Sequence, residues 1–334
     1  MKRVGNIYDQ ICAKDNLRKA YVNAKKNHKN SYGVKLFDKD VEANLLKLHE
    51  ELVNGTYRTG EYYIFKVYEP KEREIYRLDF RHRVVHHAIM NILEPVWVSV
   101  FTRDTYSCVK KRGIHGCAKT LKRDLKDIEG TKYCLKLDIK KFYPNIDHDV
   151  LKHIIRRKIK CVRTLRLLDE VIDSAPGVPI GNYVSQYFAN LYLSYFDHFL
   201  KEVKGVKYYY RYCDDMVILH SDKEFLRSML DDIRAYLREQ LKLEIKSNYQ
   251  IFPVKSRGID FVGYVFYHTH ILLRKSIKKA MIVKRNNIKS MTSYYGWCKH
   301  CNSYNLLKKL KIDESIFKQQ ASAHTAAGGE PVCV

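Results

Sequence analysis

Apolar and polar residues change period several times along the chain, and those changes mark its elements. Val41, Leu45, Leu46, Leu48 and Leu52 form an apolar stripe at helical spacing that stops before Asn54-Gly55. Together with the basic stretch Asn16–Lys26 it predicts two helices in the first 60 residues. From Glu61 the period falls to two: Tyr63, Phe65 and Val67 alternate with polar neighbours as a strand, which Pro70-Lys71 follows. Helical spacing returns over Val84–Val98, with His86-His87 either on the helix surface or a buried polar pair, and again over Cys117–Ile128. Tyr133–Asp138 alternates as a strand, with Leu135 and Leu137 in the core and Lys136 and Asp138 on the open face. Asp147 reads as the N-cap of a helix His148–Lys160. A loop, Gly177–Gly181, leads into a long amphipathic helix, Asn182–Leu200. Tyr208–Tyr210 and Met216–Leu219 then flank Tyr212-Cys213-Asp214-Asp215 as strand, tight turn and strand. Asp222–Leu241 is amphipathic, and Phe261–Phe266 opens a hairpin with Ile271–Leu273. Strand, helix, hairpin, helix, hairpin is the order of a split βαβ unit, so the fold class is α+β.

Charge adds a partner to this pattern. Lys and Arg total 61 against 37 Asp and Glu, a formal charge of +24, the footprint of a protein that binds a polyanion. The 26 tyrosines give it rings that can stack on bases. Basic residues concentrate in Arg73, Arg77, Arg81 and Arg83, in the loop Lys110–Gly113, and beyond Ile271, where Asp313 and Glu314 are the two acids before Lys318. Ile277, Ala280, Met281, Ile288 and Met291 line one face of a helix there, with Tyr294, Tyr295, Trp297 and Tyr304 following, which suits a phosphate backbone. Gln319–Val334 reads as a flexible tail.

The remaining signals exclude more than they assign. Among nine cysteines, Cys298 and Cys301 form one C-x-x-C pair without a second pair or a matching His set, which favours reduced thiols in a cytoplasmic protein over a zinc site. His268 and His270, at a hairpin turn, have no accompanying metal ligands. Met1–Lys14 lacks an apolar core, and the longest apolar stretch, Ala88–Phe101, carries Asn91 and Glu94, so we expect a soluble protein without membrane attachment. No Pro/Gly/Ser-rich linker divides the 334 residues.

The chemistry lies in carboxylates from separate strands. Asp214-Asp215 alone is ordinary turn composition. With Asp138 at the end of a strand that a split βαβ sheet places alongside, the three acids can gather around two Mg²⁺ ions, an arrangement suited to phosphoryl transfer.

These residues resemble the reverse transcriptases. Leu137–Tyr143 resembles their A motif, Gly181-x-x-x-Ser185-Gln186 the B motif, Tyr212–Asp215 the Tyr-x-Asp-Asp box, and Leu241-x-Leu243 and Phe261–Tyr264 the later palm motifs. The resemblance implies a right-hand polymerase: a helical extension over 1–60, fingers over 61–130, a split βαβ (ferredoxin-like) palm over 131–270 with 148–176 contributing to the fingers, and a short helical thumb over 271–318. It implies Asp138, Asp214 and Asp215 as catalytic metal ligands, with the Ile139 carbonyl as a further one. Lys71 and Arg77 would hold the incoming triphosphate, Tyr143 would exclude a 2′-hydroxyl, and Phe261, Gly263 and Tyr264 would form the primer grip. A core aromatic is the plain alternative for Tyr143. The implied partners are an RNA template, a DNA or RNA primer and dNTPs.

One departure narrows the resemblance. Where Pro-Gln-Gly is common, this chain has Pro179-Ile180-Gly181, and it has Ser185-Gln186 where Ser-Pro is usual. Both are similar to the diversity-generating retroelement reverse transcriptases, which miscopy template adenines, so Ile180, Gly181 and Gln186 become nucleotide-site and fidelity candidates. An alkyl group in place of an amide removes a hydrogen-bonding partner near the incoming nucleotide. That subfamily implies a small basic oligomeric accessory protein. A phage-defence, retron or group II intron enzyme is the alternative, as is a non-catalytic RNA-binding protein. Val109 stands where many group II intron relatives have Arg, and Lys246 does not align with the late palm Lys.

Overall fold

The computed structural model describes residues 3–68 and 72–310. Lys71, the tail 319–334 and the last residues of the expected thumb lie outside these. The chain forms two compact units, one of residues 1–103, 139–203 and 233–245, the other of 104–138, 204–232 and 246–334.

The first unit is mostly helical. Its first 60 residues form four α-helices rather than two, Tyr8–Cys12, Lys14–Lys25, Tyr32–Phe37 and Val41–Val53, because Ala13 and Lys26 leave helical geometry and break the run. They bury Ile11, Leu17, Leu48 and Leu52. The helix Phe80–Val98 carries Pro95 within its last turn and packs Trp97 against Phe188 at 5.6 Å. The hairpin of β1, Tyr63–Val67, and β2, Arg73–Arg77, pairs Tyr63 with Arg77 and exposes Tyr63 and Ile64. Asp147 caps the helix His148–Arg156 as expected, its side chain accepting from the Val150 amide. The long helix expected over 182–200 instead starts at Ser185 and breaks into Ser185–Tyr192, Ser194–His198 and a π-turn Phe199–Val203.

The second unit is built on a four-stranded antiparallel sheet. Its strands are β3 (Tyr133–Asp138), β4 (Tyr208–Tyr212), β5 (Asp215–His220) and β6 (Gln250–Pro253), in the order β4-β5-β3-β6. The expected alternation holds in β3: Leu135 and Leu137 are buried while Lys136 and Asp138 are half-buried. The helix expected over 117–128 runs Gly113–Asp124 and covers β4, where Tyr210 donates to Asp124 at 2.7 Å. Phe261–Phe266 is not one strand. Val262 and Gly263 take positive φ, so β7 (Ile259–Phe261), β8 (Tyr264–Phe266) and β9 (Ile271–Leu273) form a three-stranded sheet. Gly263 is required there, since a Cβ would enter the Trp297 ring. The single helix expected to hold Ile277 and Met291 is two, Lys275–Val283 and Ile288–Cys298, and Ile288 is exposed. No helix among the described residues is long and apolar enough to cross a membrane.

Candidate active site

The second unit brings the three acids together. β3 and β5 pair so that Asp138 lies directly opposite Asp215, and Asp214 occupies the turn just before β5. Tyr212 pairs with Asp215, which leaves Cys213 and Asp214 as a two-residue hairpin loop. Such loops need positive φ at the first position, and Cys213 supplies it at 54°. A non-glycine residue in that conformation costs about 1 kcal/mol, so the surroundings must hold it. They do: Arg211, fully buried, donates to the Cys213 carbonyl at 3.1 Å and to Thr105 Oγ1 at 3.2 Å. Thr105 also forms a parallel bridge with Arg211.

Burial pushes the Asp214 carboxyl up, and the neighbouring Asp138 adds to the shift. Asp215 is pushed up to about 6 by burial, with Lys136, whose Nζ lies 3.8 Å from Asp215 Oδ2, pulling the other way. Lys246 forms an ion pair with Asp138 Oδ2, and its backbone amide donates to the Asp138 carbonyl at 2.8 Å. Asp138 Oδ1 and Asp215 Oδ1 are both buried with no hydrogen-bond partner. Two carboxyl oxygens in that condition are hard donors and fit a hard divalent cation such as Mg²⁺. Among the described residues no group of three or more His, Cys, Asp or Glu side chains is arranged to hold a metal ion. Lys246 and Lys136 offset part of the repulsion among the carboxylates.

Lys136 is not among the expected site residues, and Lys246 is considered there only as a late palm Lys, the acid for pyrophosphate, with which it does not align. Lys136 could have been found, because alternation puts it on the open face with Asp138. Lys246 follows an irregular segment after Leu241 and left no periodic signal.

The nucleotide-site candidates lie in the first unit. The Tyr76 amide donates to the Ile180 carbonyl at 2.8 Å, and Gly181, at φ 128°, has no room for a Cβ beside the Tyr76 carbonyl. This holds the loop 180–181 against β2, where Arg77 is exposed and stacks over the Tyr63 ring at 4.6 Å. The Tyr143 carbonyl accepts from Val178 at 2.9 Å, tying the same loop to the turn that presents a half-buried Tyr143. Gln186 lies in the first turn of the helix Ser185–Tyr192 and is half-buried, and Ile139 is fully buried. Lys71 lies outside the described residues.

In the second unit, the primer-grip candidates Phe261 and Tyr264 are register partners buried in the core, and Tyr264 donates to the Trp297 carbonyl at 3.1 Å. Their side chains hold the Val262-Gly263 turn in place. His268 is within hydrogen-bond reach of Thr131 Oγ1 at 3.1 Å, and Cys298 and Cys301 are free thiols.

Residues 69–266 match the reverse transcriptase (RNA-dependent DNA polymerase) family. The chain is 25% identical over 277 residues to Protein YkfC of Escherichia coli, covering 68% of this chain and 71% of that protein. It is 23% identical over 325 residues to the Group II intron-encoded protein LtrA of Lactococcus lactis, covering 74% of this chain and 53% of that protein, about half its length. A solved apo telomerase from Candida tropicalis, truncated from its C-terminal domain, superposes with a TM-score of 0.51 at 13% identity, covering 66% of this chain and 55% of the other, a likeness of fold. The chain belongs to the reverse transcriptase family, whose members polymerise DNA on an RNA template.

Proposed function

We propose that the chain copies a retroelement template RNA into cDNA, with Asp138, Asp214 and Asp215 holding two Mg²⁺ ions and the Ile139 carbonyl assisting. The observation that carries this reading is the pair of buried, unpartnered oxygens, Asp138 Oδ1 and Asp215 Oδ1, on residues directly opposite each other. When bound, the two ions would supply a lowered pKa for the primer 3′-hydroxyl and neutralise the leaving pyrophosphate. The residues do the positioning. Cys213 and Arg211 fix the turn that presents Asp214, and Lys246 orients Asp138 through its second oxygen. Arg77, and Lys71 with it, meets the triphosphate. The Tyr143 ring lies under the sugar and excludes a 2′-hydroxyl, and the Val262-Gly263 turn bears on the primer. Residues 61–130 act as fingers, 131–270 as palm and 271–318 as thumb, with the basic helices of the last lying on the template–primer backbone.

We further infer error-prone copying at template adenines, on Ile180 and Gln186, and a small basic accessory protein as partner. Sequencing cDNA from a defined RNA tests this: the wild type misincorporates opposite adenine and Ile180→Gln does so less. Equal error profiles would remove Ile180 from the account. The similarity to the group II intron-encoded protein favours a second reading, a faithful intron-type enzyme, for which the wild type shows no excess of errors at adenines.

A further inference from the structure

The turn that presents Asp214 has a second chemical feature, a pair of thiols. Cys213 Sγ lies 2.8 Å from Ser107 Oγ, and Cys108 Sγ lies 3.2 Å from the same oxygen. One buried hydroxyl thus reaches both sulfurs, and both cysteines are partly exposed. Their backbones are alike as well. Cys108 and Cys213 both sit at φ 54°, a conformation that favours glycine, asparagine or aspartate. Strain of this kind persists where surrounding structure enforces it and concentrates at functional positions. Here the enforcement is mutual: residues 104–106 pair with Arg211 through the Arg211 amide to Asp104 and the Tyr106 amide to the Arg211 carbonyl. Cys108 therefore stands on a segment fastened to the strand that ends just before Cys213. The other thiols of this unit nearby, Cys117 and Cys134, are fully buried.

We propose that Cys108 and Cys213 are a redox-sensitive dithiol, oxidised by hydrogen peroxide to a disulfide that locks the catalytic turn. The Cys213 sulfur attacks one peroxide oxygen; the S–O bond forms as the O–O bond breaks, and the thiol proton leaves with the released hydroxide as water. The Cys108 sulfur then attacks the sulfenic sulfur; the S–S bond forms as the S–O bond breaks, and a second water leaves. Two thiols and one peroxide thus give a disulfide and two waters. Reaching the ~2.05 Å of a disulfide requires both side chains to turn and the Ser107 hydroxyl to be released, while the strand pairing stays. An external dithiol reverses the step by exchange. The thiol pairing stands on geometry alone; its effect on polymerisation rests on the proposed function.

The reduced full-length chain is titrated with hydrogen peroxide, remaining thiols are alkylated, and peptides are mapped by mass spectrometry beside primer extension on RNA. The expected result is a 108–213 linked peptide whose appearance tracks a fall in extension of about tenfold or more, restored by dithiothreitol. Cys108→Ser and Cys108→Ala, each checked by melting temperature, should extend primers like the wild type and resist peroxide. Absence of the linked peptide, or its presence with undiminished extension, overturns the proposal. Should the reduced chain fail to extend primers, the polymerase reading falls and the peptide map still decides the pairing. The Mg²⁺-dependent rise in melting temperature then decides the locking: its loss on oxidation supports it and its persistence contradicts it.

Discussion

A cluster of histidines in the first unit and the carboxyls at the end of the sheet in the second are shifted by burial in opposite directions. In the first unit, the helix Phe80–Val98 buries His82, His86 and His87. Burial lowers His86 to about 3 and His82 and His87 to about 4, from 6.5. His82 is within hydrogen-bond distance of the Tyr57 hydroxyl at 2.8 Å and His87 stacks on Tyr183 at 4.2 Å, while Nε2 of His86 and of His87 is buried with no hydrogen-bond partner. In the second unit, the sheet buries carboxyls whose ionisation burial opposes. The histidines are neutral near pH 7. On the proposed reading the carboxylates are charged when metal binds, and the cation offsets that cost. Burial thus keeps the histidines of the first unit neutral, and on the proposed reading the carboxyls of the second unit, with Asp138 Oδ1 and Asp215 Oδ1 unpartnered, serve chemistry.

The largest effect that can break this contrast is catalytic. Asp215→Asn should lower primer extension by roughly 10³-fold, since a metal ligand contributes several kcal/mol, while raising the metal-free melting temperature by removing a buried charge. A fall in both would make Asp215 a structural residue. The second test is metal itself. Magnesium at about 100 times its dissociation constant should stabilise the folded protein by about 2.7 kcal/mol, seen as a higher melting temperature, and Asp138→Asn should abolish most of that gain.

The third test is pH, and the chain carries a reporter in each unit, Trp97 in the first and Trp297 in the second. The histidines have folded pKa values below the unfolded 6.5, so their contribution is present above pH 6.5 and is lost as pH falls towards 4. Asp215 has a folded pKa above the unfolded 3.8, so its contribution is present below that value and is lost as pH rises towards 6. Between pH 4 and 6, unfolding followed by Trp97 in Trp297→Phe should ease with acid. The Trp297 signal in Trp97→Phe should show the opposite trend without metal, and parallel trends would contradict the contrast. The smallest effect is a control: Asp147→Ala removes a helix cap in the first unit and should cost about 1 kcal/mol of stability, leaving the Mg²⁺ response intact.

What could be read from the sequence follows what periodicity carries. The strand, turn and strand around Asp214, the alternation in β3 and the Asp147 cap depend on neighbours in the chain, and they form as expected. Features set by distant packing do not show. The helix after Gly181 stays apolar on one face through Leu193, so nothing local announces its break. The strand pattern of Phe261–Phe266 concealed the turn at Val262-Gly263, where the space left by Trp297 is what demands a glycine. The Lys246 pairing with Asp138 bridges more than 100 residues and could not be read from either end.

The most direct test of the central claim is primer extension on an RNA template with Mg²⁺, comparing the wild type with Asp214→Asn. The account predicts that the wild type extends the primer and that the variant, folded as shown by its melting temperature, is slower by roughly 10³-fold. A folded variant that extends the primer at the wild-type rate would contradict it.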